Sequence, residues 1–187
     1  AVSPDALVLK NVPYIGMDWQ NRLKSPQDFS LPSAFSSVMH FLGEDPALEY
    51  MHYLAVSGFA FRQGWHKTLW RTAFDNPFVS STDPQEPFTR CFEAAGYGFE
   101  VVGNEELCKA KGYPAGSADQ YVGPAEIKRR VCESIAAGKP VIAYGRLYGA
   151  SIIAGYEDGG ATVVGWYSTA YKFVDAFNVI PAFFTQS

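Results

Sequence analysis

Ala150-Ser151-Ile152-Ile153-Ala154-Gly155-Tyr156, then Glu157-Asp158-Gly159-Gly160, then Ala161-Thr162-Val163-Val164-Gly165-Trp166-Tyr167 is the stretch whose reading decides the fold. Two runs rich in β-branched and aromatic residues flank a turn in which Asp158, Gly159 and Gly160 tolerate positive φ, which predicts a β-hairpin. Just before it, 140–144 is an apolar run that reads as a further strand. Gly123-Pro124-Ala125-Glu126 reads as a helix start, with proline in the first turn and an acid where the helix dipole favours it. Ile127, Val131 and Ile135 form the buried stripe of that helix, and Gly138 ends it.

Upstream, Phe35, Val38, Met39 and Leu42 follow the i, i+3, i+4, i+7 pattern, predicting a helix over 32–42 that stops at Gly43. A second helix fits 46–56, and Phe88, Cys91, Phe92 and Ala95 repeat at helical spacing up to Gly96. Residues 7–15 read as a short edge strand, 99–102 as another, 105–111 as one or two helical turns, and 76–87 and 113–122 as loops. The apolar run 174–184 reads as a last strand or a docked segment, and as a candidate homodimer surface. Helices come first and a helix feeding an antiparallel sheet comes last. The expected class is α+β, N-terminal helices on a C-terminal antiparallel sheet, in one domain spanning 1–187.

Composition narrows the partners. The chain holds 187 residues, 48% hydrophobic and 18% charged, enough for one domain with a sizeable core. A net charge of −4 argues against a nucleic-acid footprint, which needs clustered Lys and Arg. Lys128-Arg129-Arg130 reads as a solvated helix face. No apolar run reaches the ~20 residues of a membrane-spanning helix. Neither nucleic acid nor membrane is an expected partner. The 14 Phe, 11 Tyr and 4 Trp fill an irregular core or line a pocket. Cys91, Cys108 and Cys132 are too scattered for a disulfide framework, and an odd count fits reduced thiols in the cytoplasm. The absence of a start methionine is compatible with a cleaved leader.

Candidate chemistry is sparse. Cys91 and Cys132 fall within the periodic parts of their helices, where packing is the ordinary role, and Cys108 sits in a short polar helix. Ser30 and Ser33 stand near a helix start, where hydroxyls usually cap. His40, His52 and His66 lack the spaced carboxylates or thiols of a metal site, and no phosphate loop or dinucleotide fingerprint is present. No cofactor and no metal is expected.

Three strings carry a family resemblance: Ser30-Leu31-Pro32-Ser33-Ala34-Phe35 through Phe41-Leu42-Gly43; Val56-Ser57-Gly58-Phe59-Ala60-Phe61-Arg62; and Glu133-Ser134-Ile135-Ala136-Ala137-Gly138-Lys139-Pro140-Val141-Ile142-Ala143 running into Ile152-Ile153-Ala154-Gly155-Tyr156. In their order they resemble the papain-like cysteine-peptidase fold, specifically C39-like families and the N-terminal domain of butirosin-biosynthesis-H-type proteins, in an uncharacterised bacterial branch. The resemblance implies a first helix opening on Cys-Gly-Pro, where this chain has Ser30-Leu31-Pro32. It implies a histidine at the start of the strand running into Gly-Tyr-Asp, where this chain has Gly149-Ala150-Ser151. The orienting acid or amide would come after the next strand, where Trp166-Tyr167-Ser168 stands.

The implied reading is a catalytically degenerate papain-like domain that binds a small molecule or peptide in the former cleft. Ser30, Arg62, Trp65, Tyr144, Gly149, Tyr156 and Trp166 are its candidate liners, each with an ordinary packing or ion-pair role as the alternative. The other functional reading is an acyltransferase or hydrolase using Cys108 or Ser30 with His40, His52 or His66.

Overall fold

The computed structural model describes residues 5–15, 27, 29–61, 83–144, 149–166, 170–173 and 180–185. Its helices are α1 (Ser30–Leu42), α2 (Tyr50–Val56), α3 (Glu86–Ala95), α4 (Glu105–Lys111) and α5 (Pro124–Ala136). Its strands are β1 (Leu7–Val8), β2 (Gly98–Gly103), β3 (Gln120–Tyr121), β4 (Val141–Tyr144), β5 (Ser151–Glu157), β6 (Thr162–Trp166), β7 (Ala170–Phe173) and β8 (Ile180–Thr185). They form one sheet in the order β3-β2-β8-β4-β5-β6-β7, with β1 beside β5. The chain is α+β.

The predicted hairpin is β5–β6, closed by a short turn over Asp158–Gly160. Two features of the sheet differ from the expectation. Its strands come from both halves of the sequence, and β2 pairs β3 in parallel while the other pairs are antiparallel. The sheet is also buried on both faces. Ile142 and Tyr144 of β4 enter a core with Phe35 and Met39 of α1 and Phe88 and Phe92 of α3. Val141 and Ala143 enter a second core with Ile127, Val131 and Ile135 of α5. β2 and β8 divide their side chains in the same way, Val101, Ala182 and Phe184 to the first core, Val102 and Phe183 to the second. Period-2 geometry makes this division possible.

The apolar run near the C-terminus resolves into β8, which lies between β2 and β4 in the middle of the sheet. Ala182 pairs Val101 on one side and Ile142 on the other. Residues 180–184 are therefore interior to the sheet rather than an exposed tail; 174–179 lie outside the described residues. Proline is unusual in a central strand, but Pro181 pairs only β4, opposite Ala143, and the β2 pairing begins one residue later. Its missing N–H therefore interrupts no two-sided ladder.

Three helix starts differ from the sequence reading, the first being α1, which opens at Ser30 rather than at 32. The helix expected from 46 begins at Tyr50, because the Asp45 carboxylate takes the Ala47 N–H at 2.9 Å and holds a turn instead. The loop expected to run to 87 ends earlier, since Glu86 opens α3 with Pro87 in its first turn, where proline loses nothing. α4 matches its predicted bounds and is capped by Asn104, whose Oδ1 accepts from Leu107 N at 3.0 Å.

Arg130 of α5 ties the helix to the sheet edge. Its guanidinium donates to Glu100 of β2 at 2.8 Å, to Gln120 of β3 at 3.0 Å and to Glu126 of its own helix at 2.8 Å. Hydrogen bonds from Arg129 and Arg130 hold the Glu126 carboxyl down at about 2, against an ordinary 4.5. A lowered folded-state value stabilises above the unfolded one and is lost as pH falls through the folded one. Melting temperature should therefore decline between about pH 4.5 and 2, and Glu126→Gln should flatten that part of a pH series of thermal melts.

Gly155 sits where β1 crosses β5. A Cβ there would lie 2.6 Å from the Leu7 carbonyl oxygen and 2.8 Å from Val8 Cα, both backbone atoms with little room to retreat. Gly155→Ala should cost about 1–3 kcal/mol, the usual range for overpacking. Urea denaturation checks this, and a loss of under 0.5 kcal/mol, roughly the scale of a surface change, would contradict it.

Candidate functional site

α1 starts without a side-chain cap: Phe29 precedes it in extended conformation, and neither Ser30 nor Ser33 takes the capping role expected of it. The Ser30 hydroxyl instead accepts the Ala150 N–H at 2.6 Å, across 120 residues of sequence. Ser30 and Ala150 are both fully buried. The Ser33 hydroxyl donates to Gln27 Oε1 at 2.5 Å, and Tyr50 of α2 accepts from Phe29 N at 3.3 Å. The start of α1 is thus tied to the start of β5, to the segment before α1 and to α2.

The seven candidate liners separate. Ser30 and Gly149 come together through the Ala150 contact, and both are buried. Trp166 lies on the same side of the sheet, packed against the α1 core, its ring edge-on to Tyr14 with centroids 5.1 Å apart. Its indole Nε1–H is buried without a hydrogen-bond partner among the described residues. Tyr144 shares that side but is core, 1% exposed, with its ring against Phe88 at 5.5 Å. Tyr156 lies on the opposite side, fully buried among Ile127, Val131, Ile135 and Val163, and its hydroxyl also lacks a partner. The reason is a bulge. Between Ile153 and Gly155 the β5–β6 register shifts by a residue, and such a shift turns every later side chain to the other face. Arg62 and Trp65 lie outside the described residues, as does His66.

The candidate nucleophiles and bases also stay apart. His40 is exposed on the last turn of α1, ten residues beyond Ser30, or about 15 Å at the helical rise. His52 stacks edge-on against Tyr53 at 5.0 Å, and its Nε2 is buried with no partner. Burial pushes the thiols of Cys91, Cys108 and Cys132 upward, the reverse of what activates a cysteine nucleophile. Cys91 instead donates weakly to the Tyr53 carbonyl at 3.9 Å. Among the described residues, no group of three or more His, Cys, Asp or Glu side chains could hold a metal ion, and no helix is long and apolar enough to cross a membrane.

Beside the C-terminal half of α1 lies an open recess of about 210 Å³, lined by Tyr14, Gln27, Ser37, His40 and Glu49 among others. Ser37 fixes one wall by donating to the Tyr14 carbonyl at 3.1 Å. The sequence reading named His40 only as a candidate base and missed the others, although one signal was present. Ser33, Ser37 and His40 recur at i, i+4, i+7, a polar stripe beside the apolar one, on a helix whose neighbours bury its other faces. Tyr14, Gln27 and Glu49 join them only through the fold. A larger groove of about 400 Å³ runs beside α5 and β8, but its Arg129 and Arg130 are engaged by Glu100, Glu126 and Glu133.

No family model, no curated protein and no solved structure matches this chain. Any function assigned to the site therefore has to come from the geometry of its own residues.

If the Ser30 hydroxyl serves the buried Ala150 N–H, removing it strands a donor, which costs about 1–3 kcal/mol. Ser30→Ala should lose that much in urea denaturation, and exchange of the Ala150 amide with deuterium should quicken. An unchanged midpoint would show that the contact contributes nothing.

Proposed function

We propose that this chain is a catalytically degenerate papain-like domain of the C39-like, butirosin-H-like kind, and that it binds a small molecule or peptide beside the first helix. One observation carries the reading. The start of α1 and the start of β5, where the resemblance would put a thiol and an imidazole, meet through Ser30 and Ala150, and the hydroxyl is engaged by a backbone N–H. A serine used as an acceptor, with Gly149 where the resemblance would put the histidine, is poorly suited to attack a carbonyl.

Four further features support binding without peptidase chemistry. The described cysteines are buried and held protonated. His40 is a helix-length away from Ser30, and Trp166, first of the three residues where the resemblance would put the orienting group, has its buried N–H unpaired among the described residues. The recess beside α1 adds polar side chains and an exposed tyrosine ring, the mixture that orients small ligands.

Two assays run together test the reading. A thermal-shift panel of metabolites and short peptides should contain at least one stabilising class. Ester and peptide substrates should show no turnover that Ser30→Ala abolishes. A flat panel with Ser30-dependent turnover would replace the binding reading by a hydrolase or acyltransferase, and a flat panel without turnover would remove both.

A further inference from the structure

The recess beside α1 has a charge bias, and the choice of ligand it implies rests on the binding reading just proposed. No lysine or arginine is among its described lining residues, whereas Glu49 brings a carboxylate. That carboxylate makes no hydrogen bond or ion pair among the described residues. By contrast Glu86, Glu105, Glu126 and Glu133 are each held by an arginine or lysine of their own helix, and Glu100 by Arg130. Glu49 stands at the N-cap of α2 without making a capping bond, so the helix does not claim its side chain either.

Across the recess, Tyr14 is 54% exposed yet fixed by two contacts, the edge of Trp166 and the bond from Ser37 to its carbonyl. An exposed aromatic ring in the same recess as a carboxylate, with no lysine or arginine among the described lining residues, is an arrangement that attracts an organic cation. The Ser37 hydroxyl adds a hydrogen-bond acceptor for an N–H donor, and His40 lines the same recess. The volume of about 210 Å³ suits a group the size of a side chain rather than a larger ligand.

We propose that this recess binds a primary ammonium group on a short aliphatic stem, with Glu49 as its counter-ion and Tyr14 as the wall along which the stem lies. A free alkylamine and the lysine side chain of a peptide share that chemistry.

Amide and indole NMR titrations of the full chain at fixed ionic strength test it, with butylammonium, N-acetyl-lysine methylamide, butyrate and butanol as probes. Both ammonium probes should shift the Ser37 and Glu49 amides and the Trp166 indole, and butyrate and butanol should not. Tighter binding of butylammonium points to a free amine, and tighter binding of the lysine derivative to a peptide. Glu49→Gln, exposed and outside any capping bond, should weaken the ammonium probes at least five-fold while leaving the rest of the spectrum in place. Tyr14→Leu should weaken them as well. Equal shifts from butanol or butyrate, an undiminished response in Glu49→Gln, or silence from both ammonium probes would overturn the ammonium assignment. The binding reading falls with it only if the metabolite and peptide panel is also flat.

Discussion

Each strand through the middle of the sheet has to satisfy two cores at once, and the rest of the structure depends on that constraint. β4, β8 and β2 send alternate residues to the α1–α3 side and to the α5 side, so a register error in any of them would exchange an entire set of buried side chains. The helices cover a sheet whose faces are already determined. α1 offers Leu31, Phe35, Val38 and Met39 to one face, and α5 offers Ile127, Val131 and Ile135 to the other. Where β5 departs from strict alternation, at the bulge before Gly155, β1 runs alongside it and approaches too closely for any side chain at that glycine.

The candidate site is a consequence of the same arrangement. α1 can begin against β5 only because Ser30 and Ala150 are small enough to bring the helix start to the strand, where the hydroxyl meets a backbone N–H that begins the strand without a ladder partner in the described register. The polar stripe of α1 then points away from the sheet, toward Tyr14 and the start of α2, and makes the recess. The buried core and the polar recess are two sides of one helix. The binding surface proposed above would therefore lie next to a rigid element, with its groups already held in position.

Much of this was legible in the residues. The hairpin, the start of α5 at Pro124, the bounds of α4 and the end of α1 at Gly43 are local matters, decided by turn chemistry, capping and periodicity, and the structure has them as read. What could not be read is what depends on partners distant in sequence. Nothing in the run around Ile180 says that it inserts between β2 and β4, and an apolar segment near a terminus reads equally well as a tail. β7 gave no signal, and β3 is two residues whose pairing comes from the neighbouring strand. For the candidate site, the resemblance in the order of elements named Ser30 and Gly149, and the fold brings those two positions together. Tyr156 was named with them as an aromatic suited to a planar ligand, and one inserted residue in β5 sends it to the other core. Glu49 was invisible because an exposed acid before a short helix has many ordinary uses.

The position of β8 also bears on how the molecule is made. Val101 and Ala182 are direct neighbours in the sheet and 81 residues apart along the chain (182 − 101). On a ribosome the chain emerges N-terminus first, so β2 is synthesised well before the strand that will lie against it. At about 5–20 residues per second, the wait lasts several seconds. During it, β2 has only the two-residue β3 as a lateral partner, and Val101 and Val102 have neither complete core over them. Pairings this distant in sequence are also slow to close once the chain is free. A nascent chain of this kind carries an open, apolar strand edge through much of its synthesis, the sort of surface that chaperones hold and that neighbouring chains on a polysome can pair with.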